Sequence, residues 1–415
     1  MAKIRLQRSV SLNTVFVYMA LFCVSTFALL ENATMSIAAF STVKLYLMYI
    51  GFGCIVTQMN VVLRCLLKKK YFFVLLSVLI LCAFLGANML LSGGSLYSTV
   101  RFVLYLVELF ALMIVLAETG RGHAALKFLF WYTLLIVFVN DTLMFTRLIT
   151  FGSAKYENYI VGTKFSVSYL HMDLLTLWLT TYAYQRKKAK REKWKVLLAT
   201  GFIVLVTIRT NCMTGLLGCI LLAAMFAWRQ RGKGIWTKKL VFPVVLLTAV
   251  AVSVIFAAIA NSLMNIPMLQ YVVKEVLKRS ITLTGRTNIY RAFLEGMQGH
   301  WLWGFGYGKD YQTALSLFGY ANVQNGLMQW ILQIGVPATM AMLMLFAAVF
   351  RQLKRSGVQR QRRAMPLVML VYIYIILAMV EVTYNMAFFM WFGLIFLVAT
   401  EREMLPASAQ SSGMR

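Results

Sequence analysis

Twelve long apolar stretches alternate with short clusters of lysine and arginine along the 415 residues. A hydrocarbon core of about 30 Å requires about 20 apolar residues for each helix that crosses it. This spacing predicts an all-α, polytopic integral membrane protein with about 12 transmembrane helices, because helices satisfy their own backbone groups in lipid. The candidate spans lie near 12–30, 37–63, 71–91, 102–117, 128–145, 166–184, 196–208, 213–228, 240–260, 326–350, 364–380 and 388–400.

The composition excludes other classes. Hydrophobic residues make up 61% and charged residues 13%, whereas a soluble domain has about 45–50% and about 25%. A net charge of +28 would indicate nucleic acid in a soluble protein, but here the basic residues lie between apolar stretches. Six scattered cysteines without CxxC spacing predict neither a disulfide nor a metal site. No small-residue cleavage site follows Met1–Leu30, so we interpret it as the first helix.

The basic residues also predict the orientation. One alternate set of connections carries 29 Lys/Arg in 78 residues, and the opposite set carries 11 in 112. The positive-inside rule places the first set, with both termini, in the cytoplasm. The predicted organisation in a cell membrane is nine helices over 1–260, a long extracytoplasmic loop over 261–325, three helices over 326–400 and a cytoplasmic tail over 401–415.

The 261–325 loop is where we expect the function, since long loops in an economical fold are usually functional. Residues 268–279, which include Arg279, predict a short amphipathic helix with short helical neighbours. A turn over 283–287, with Thr284 or Thr287 as the cap, is predicted to lead into a second helix through about Gly296, which places Arg286 at or just before the helix N-terminus. A guanidinium at a helix N-terminus is suited to a phosphate; pairing with lipid phosphate or with Glu295 is the alternative.

Aromatic residues and glycines alternate in the second half of this loop, over 301–308. Aromatic rings stack on sugar faces, but they are also common at membrane interfaces. A glycine-rich cradle for a diphosphate is a third possibility, although no Lys-Ser/Thr pair follows. The candidate glycan contacts are Trp301, Trp303, Tyr307, Asn322 and Asn325.

Ionisable residues inside apolar stretches are functional candidates by default, although interhelical hydrogen bonding is an equal alternative for the acids. They are Lys44, Glu108, Asp141, Arg147, His171, Asp173, Arg209 and Glu381. Arg209 follows a stretch of about 13 apolar residues, which suggests a recessed position at a wet cavity. The chain has three aspartates and no DxD pair, so we expect no metal and no cofactor.

Three segments in this order resemble the O-antigen ligase and polymerase family of membrane glycan enzymes: LTGR at 283–286, WGFGYG at 303–308 and NGLMQWILQIGV at 325–336. The resemblance implies a fold similar to GT-C-like glycosyltransferases and a metal-independent, inverting glycosyl transfer at the outer face of the membrane. The donor would be a glycan on a polyprenyl diphosphate. Arg209 and Arg286 match arginines that the family uses to hold the diphosphate, and Arg279 and Arg291 are further candidates.

One departure concerns the proton of the acceptor hydroxyl. The family usually has a histidine where this chain has Gln324, and glutamine cannot act as a base at neutral pH. Gln324 would then orient the acceptor, or another group would supply the base. The substitute candidates are His171, Asp173, Glu295 and Asp310.

The resemblance favours a polymerase of lipid-linked repeat units for capsule, O-antigen or exopolysaccharide. A ligase that transfers finished glycan to a lipid or wall acceptor is the first alternative. A lipid-linked oligosaccharide flippase is the second, although such transporters often contain repeated halves and this chain shows none. The expected partners are the lipid-linked donor, a glycan acceptor and membrane lipid, with no nucleic acid. A flippase and a chain-length regulator are expected around a polymerase.

Overall fold

The computed structural model describes residues 11–147, 159–182, 189–230, 238–263, 266–271, 275 and 286–401. The regular elements in these ranges are all helical. A short 3-10 helix occupies Glu31–Met35. The α-helices are α1 (Leu12–Leu29), α2 (Phe40–Val56), α3 (Met59–Leu63), α4 (Lys69–Ser92), α5 (Leu96–Glu118), α6 (Gly122–Thr146), α7 (Lys164–Thr181), α8 (Ala189–Arg209), α9 (Met213–Gln230), α10 (Pro243–Leu263), α11 (Pro267–Tyr271), α12 (Arg286–Gly296), α13 (Asp310–Phe318), α14 (Gly326–Arg355), α15 (Val358–Leu377) and α16 (Met386–Thr400).

Apolar helices of membrane-crossing length identify a polytopic membrane protein. Within the described ranges, five helices are long and apolar enough to cross a bilayer, namely α1, α4, α5, α6 and α14. Four shorter apolar segments lie in α2, α9, α10 and α16. Each of the twelve predicted spans contains a helix, but that all twelve cross the membrane stays a prediction.

Three helices differ from their predicted spans. The stretch 37–63 holds two helices, because the chain turns at Thr57 and Gln58 between α2 and α3. The helix that ends at Arg209 has 21 residues, so the expectation of a short helix of about 13 residues was wrong. Its basic N-terminal part continues the helix, since lysine, arginine and glutamate are good helix formers. Helix α14 is interrupted at Gly335, where φ is 73° and ψ is 178°.

Contacts between the connections form two groups that match the two alternate sets of the sequence. At one end of the helices, ion pairs join the basic connections; they are Lys68–Glu118 at 3.0 Å and Arg363–Glu401 at 2.7 Å. At the other end, the backbone amide of Ser95 donates to Tyr307 at 2.8 Å and that of Met386 donates to the Glu31 carboxylate at 2.9 Å. The two alternate sets of connections therefore lie at opposite ends of the helices. The cytoplasmic placement of the termini stays a prediction.

Helix α16 lies at the centre of the core. Its residues from Phe388 to Thr400 are all buried, as expected of a helix that is apolar on every side. Its neighbours are α1, α5, α14 and α15. Neighbouring helices hold α15 and α16 in place, so the connection between them, residues 378–385, is fixed. It lies at the end of the molecule where the 286–325 segment packs.

Candidate active site

Arg286 is the first residue of α12, which ends at Gly296, so the prediction of a helix through about Gly296 with Arg286 near its N-terminus is confirmed. Its Nε donates to the backbone oxygen of Val380 at 2.8 Å. Its Nη2 lies 3.9 Å from Oε2 of Glu381, and the arginine side chain is 20% exposed. The guanidinium is thus fixed between α12 and the connection 378–385, at a helix N-terminus whose amides favour an anion.

Helix α12 is held in place by its apolar face. Ile289, Tyr290 and Phe293 are buried in a cluster that includes residues of α10 and α14. The Tyr290 hydroxyl lies 2.8 Å from the Met379 oxygen and 3.0 Å from the Gln324 oxygen. One side chain therefore joins α12 to the two connections that precede α14 and α16, and this fixes the start of α12 relative to both.

Glu381 is the acid that faces Arg286, and our sequence reasoning did not include it among the candidate bases. The residue is 8% exposed, and its Oε1 accepts from the backbone amide of Val382 at 3.3 Å. Burial raises the pKa of the Glu381 carboxyl, while that amide and the positive charges of Arg286 and Lys164 oppose the rise. The sequence feature that could have identified Glu381 is its position, because it is the one acid in the short connection 381–387.

Arg209 ends α8 with an exposed side chain. The turn that follows contains Asn211 in the left-handed region, with φ of 50°. Lys164, at the start of α7, donates from Nζ to the Asn211 oxygen at 3.4 Å, and the same lysine acts electrostatically on Glu381. Lys164 therefore links the turn after Arg209 to the Glu381–Arg286 pair.

Gln324 adopts an unusual backbone conformation, with φ of 56°, which is uncommon for a residue that is not glycine. Its backbone amide and its Nε2 both donate to Oδ1 of Asn322, at 2.9 and 2.7 Å. Tyr290 holds its oxygen. Strained residues fixed in this way concentrate at functional sites, so the conformation marks this connection as a candidate part of the site.

Asn325 is fully buried and caps α14. Its Oδ1 accepts from the amides of Leu327 and Met328 at 3.1 Å each, and its Nδ2 lies 3.2 Å from the Ser253 oxygen. These contacts occupy the side chain and support a structural role, and a contact of Asn325 with a glycan stays a prediction. The residue fixes the connection that carries Gln324.

Replacement of Asn325 by alanine is expected to lower the free energy of unfolding by about 2 kcal/mol, because a helix cap is lost and a buried carbonyl loses its donor. Denaturant unfolding of the purified protein in detergent measures this. The control is Asn60→Ala, since Asn60 is exposed. Equal stability of the two variants would contradict the capping role.

Comparison with known protein families gives one match. Residues 194–343 match the family model described as O-antigen ligase. This segment is therefore similar to the O-antigen ligase family. No curated protein matches the chain. Members of the family are glycosyltransferase-like enzymes of polymerase or ligase type, and their substrates are lipid-linked oligosaccharides and glycans.

The matched segment includes most of the geometry above. Arg209, Arg286, Gln324 and Asn325 lie within the matched residues. Glu381 lies outside them, in the connection 378–385. The site is thus built by the matched segment together with this connection.

The aromatic and glycine turn of the matched segment, residues 301–308, completes the broken helix α14. Pro337 has no amide for the oxygen of Gln333, and that oxygen accepts instead from Gly306 at 3.0 Å. In the same way, Phe305 donates to the Leu332 oxygen and Val336 donates to the Trp301 oxygen, each at 2.8 Å. The turn therefore satisfies backbone groups that the helix break leaves without helical partners.

These contacts bear on two predictions about the turn, the diphosphate cradle and the glycan contact of Tyr307. The amides of Gly304, Phe305, Gly306 and Tyr307 all donate within the protein, so a diphosphate cradle at this turn is wrong. The Tyr307 ring is buried in a cluster with Phe102, at 5.3 Å, and Trp330, at 5.8 Å. These contacts support a packing role for Tyr307, and its contact with a glycan stays a prediction. Trp301 is 39% exposed and remains a candidate, as does the partly exposed Trp303.

The four proposed bases lie in different surroundings. His171 contacts Asp141 at 2.9 Å and the Val167 oxygen at 2.8 Å. The carboxylate of Asp173 accepts from the Tyr374 hydroxyl at 2.5 Å. For these two residues the structure agrees with the alternative of hydrogen bonds inside the helix bundle. Asp310 accepts from Gln329 at 2.8 Å, and Glu295 is exposed on α12.

Two other predicted residues need separate mention. Arg291 is exposed on α12, five positions beyond Arg286 and so on a different side of the helix. Arg279 and most of the predicted amphipathic helix 268–279 lie outside the described residues; α11 and residue 275 are described there. Within the described part of the chain, no group of three or more His, Cys, Asp or Glu could share a metal ion.

Proposed function

We propose that this protein is a polymerase of cell-surface polysaccharide (capsule, O-antigen or exopolysaccharide). It joins oligosaccharide repeat units carried on polyprenyl diphosphate at the outer face of the cell membrane, by inverting glycosyl transfer that needs no metal. The observation that carries this proposal is the position of Arg286. It lies at a helix N-terminus within the segment that matches the O-antigen ligase family, half-buried and fixed by Val380 and Glu381.

The proposed role of Arg286 is to bind the diphosphate as it leaves. Negative charge builds up on the leaving oxygen in the transition state, and fixed donors in a partly dry site stabilise it without reorganising. A guanidinium can donate two parallel hydrogen bonds to phosphate. Arg209, whose turn is linked to this site through Lys164, would contribute a second positive charge.

The acceptor glycan would lie against the connection before α14. Asn322 and Gln324 bring amide groups to this connection, and amides can hydrogen-bond sugar hydroxyls. The partly exposed rings of Trp301 and Trp303 offer apolar faces of the kind that stack on sugars. We propose that these four side chains contact the acceptor, and that they position it rather than take part in the chemistry.

The test uses purified protein in lipid vesicles with a radiolabelled polyprenyl-diphosphate repeat unit and with EDTA present. A ladder of longer products is expected. A donor that is consumed only when a lipid or wall acceptor is added would support a ligase instead. An intact donor that crosses the bilayer would support a flippase and would contradict the proposal. A flippase and a chain-length regulator are proposed as its partners in the cell.

A further inference from the structure

The proposed transfer releases the proton of the acceptor hydroxyl, and we consider which described residues could take it. Gln324 occupies the place of the family histidine and cannot accept a proton. His171 and Asp173 are already bonded inside the helix bundle. The Asp310 carboxylate is bonded to Gln329, and Glu295 is exposed on α12.

We infer that Glu381 is the proton acceptor for the acceptor hydroxyl, a role that rests on the proposed function. It is the buried carboxylate that faces the arginine of the proposed diphosphate site, with 3.9 Å between Oε2 and Nη2. This distance exceeds a hydrogen bond, which for N–H···O is about 2.7–3.2 Å. The carboxylate oxygen therefore keeps capacity for a further hydrogen bond at the centre of the site.

The separation also suits an inverting transfer. The attacking and leaving oxygens lie on opposite faces of the sugar carbon, with the reacting atoms about 3 Å apart before attack. A base that hydrogen-bonds the attacking hydroxyl then lies about 7 Å from the leaving oxygen. Two oxygen atoms that lie against opposite edges of one guanidinium, one from the diphosphate and one from the carboxylate, are separated by a similar distance. Arg286 can thus hold the diphosphate on one side while Glu381 remains on the other.

Burial, and not the neighbouring charges, favours a basic Glu381. The charged and titratable groups that interact with it electrostatically are Arg286 and Tyr290 of α12 and Lys164 and Tyr169 of α7. Burial raises the pKa of the Glu381 carboxyl, and the two positive side chains oppose this rise. A bound diphosphate would offset their charge, so the proton affinity of Glu381 would increase when the donor is in place.

The inferred step is balanced as follows. The acceptor oxygen forms a bond to the anomeric carbon of the donor sugar, and the bond from that carbon to the diphosphate oxygen breaks. The bonding electron pair leaves with the diphosphate, which Arg286 holds. The hydroxyl proton moves to the Glu381 carboxylate and passes to water after product release. No oxidant, metal or other co-reactant takes part.

The test compares wild type with Glu381→Gln and Glu381→Asp in the vesicle assay, over a range of pH. Glu381→Gln has nearly the same size, and we expect it to lower kcat by about a hundredfold or more, with the donor KM within about threefold of wild type. Wild-type kcat should fall on the acid side as Glu381 becomes protonated. Glu381→Asp should keep this acid limb at reduced kcat, and the residual activity of Glu381→Gln should lack it.

Three results would overturn the inference. The first is an unchanged kcat in Glu381→Gln. The second is a loss explained by KM alone, because Glu381 would then only position Arg286. The third is that Glu295→Gln or Asp310→Asn, instead of Glu381→Gln, lowers kcat and removes the acid limb of its pH dependence. A wild-type protein without transfer would instead overturn the proposed function, and the inference with it. Unfolding midpoints show whether each variant is folded.

Discussion

Replacing Arg286 by alanine is expected to lower the rate of glycan transfer by about a thousandfold. Loss of one preorganised donor to a developing oxyanion costs about 10²–10³ in kcat, and here the donor is also charged. Its guanidinium is fixed by Val380 at 2.8 Å and faces Glu381, so no rearrangement is needed before it acts. The measurement is the initial rate of product formation in vesicles for wild type and variant.

Two further variants separate catalysis from folding. Arg286→Ala leaves the buried Glu381 without its facing cation, which is destabilising. The double variant Arg286→Ala/Glu381→Gln should therefore recover stability without recovering transfer. Arg286→Lys should keep part of the activity, because it retains the charge but loses the planar fork. Arg64→Ala, at an exposed site in a basic connection, is the matched control. Transfer by Arg286→Ala at the wild-type rate would contradict a diphosphate role.

Gly335→Ala is expected to destabilise the fold by about 3–5 kcal/mol. Gly335 has φ of 73° and ψ of 178°, a region that is essentially limited to glycine and costs other residues about 1–3 kcal/mol. An added Cβ would also lie 2.3 Å from the Leu302 oxygen, so the turn 301–308 must move. Thermal unfolding in detergent and the yield of folded protein measure the effect.

The matched control is Gly86→Ala in α4, where an added Cβ meets nothing within 4 Å and alanine improves helix propensity. A Gly335→Ala protein as stable as this control would show that the break in α14 relaxes without cost. The description of the turn as the partner of the broken helix would then be wrong.

Several features of the site could be predicted from local sequence. The end of α12 near Gly296, and a position of Arg286 near its N-terminus, follow from the polar turn and the short apolar repeat, and the structure agrees. Helix existence in the apolar stretches was also predictable, because a long apolar run in lipid must satisfy its own backbone. The break in α14 was not predicted, although a proline follows Gly335 by two positions.

The roles of individual side chains were less predictable. Asn325 and Tyr307 have the residue types expected of glycan contacts, yet both are buried in structural contacts. A residue type and its position near a helix end do not show which way the side chain points. The packing of α14 against the 301–308 turn decides this, and it involves the distant Asn88 of α4, whose side chain accepts from the Tyr307 amide at 2.9 Å.

The sequence by itself determined that this is a helical membrane protein with its basic residues in alternate connections, and that Arg286 lies at or just before the start of a helix in the segment 261–325. These properties depend on neighbours within one or two helical turns, or on transfer of one segment into lipid. Only the tertiary structure decided that Arg286 meets Val380 and Glu381. Some 94 positions separate Arg286 from Val380, and the packing of α12, α15 and α16 brings them together.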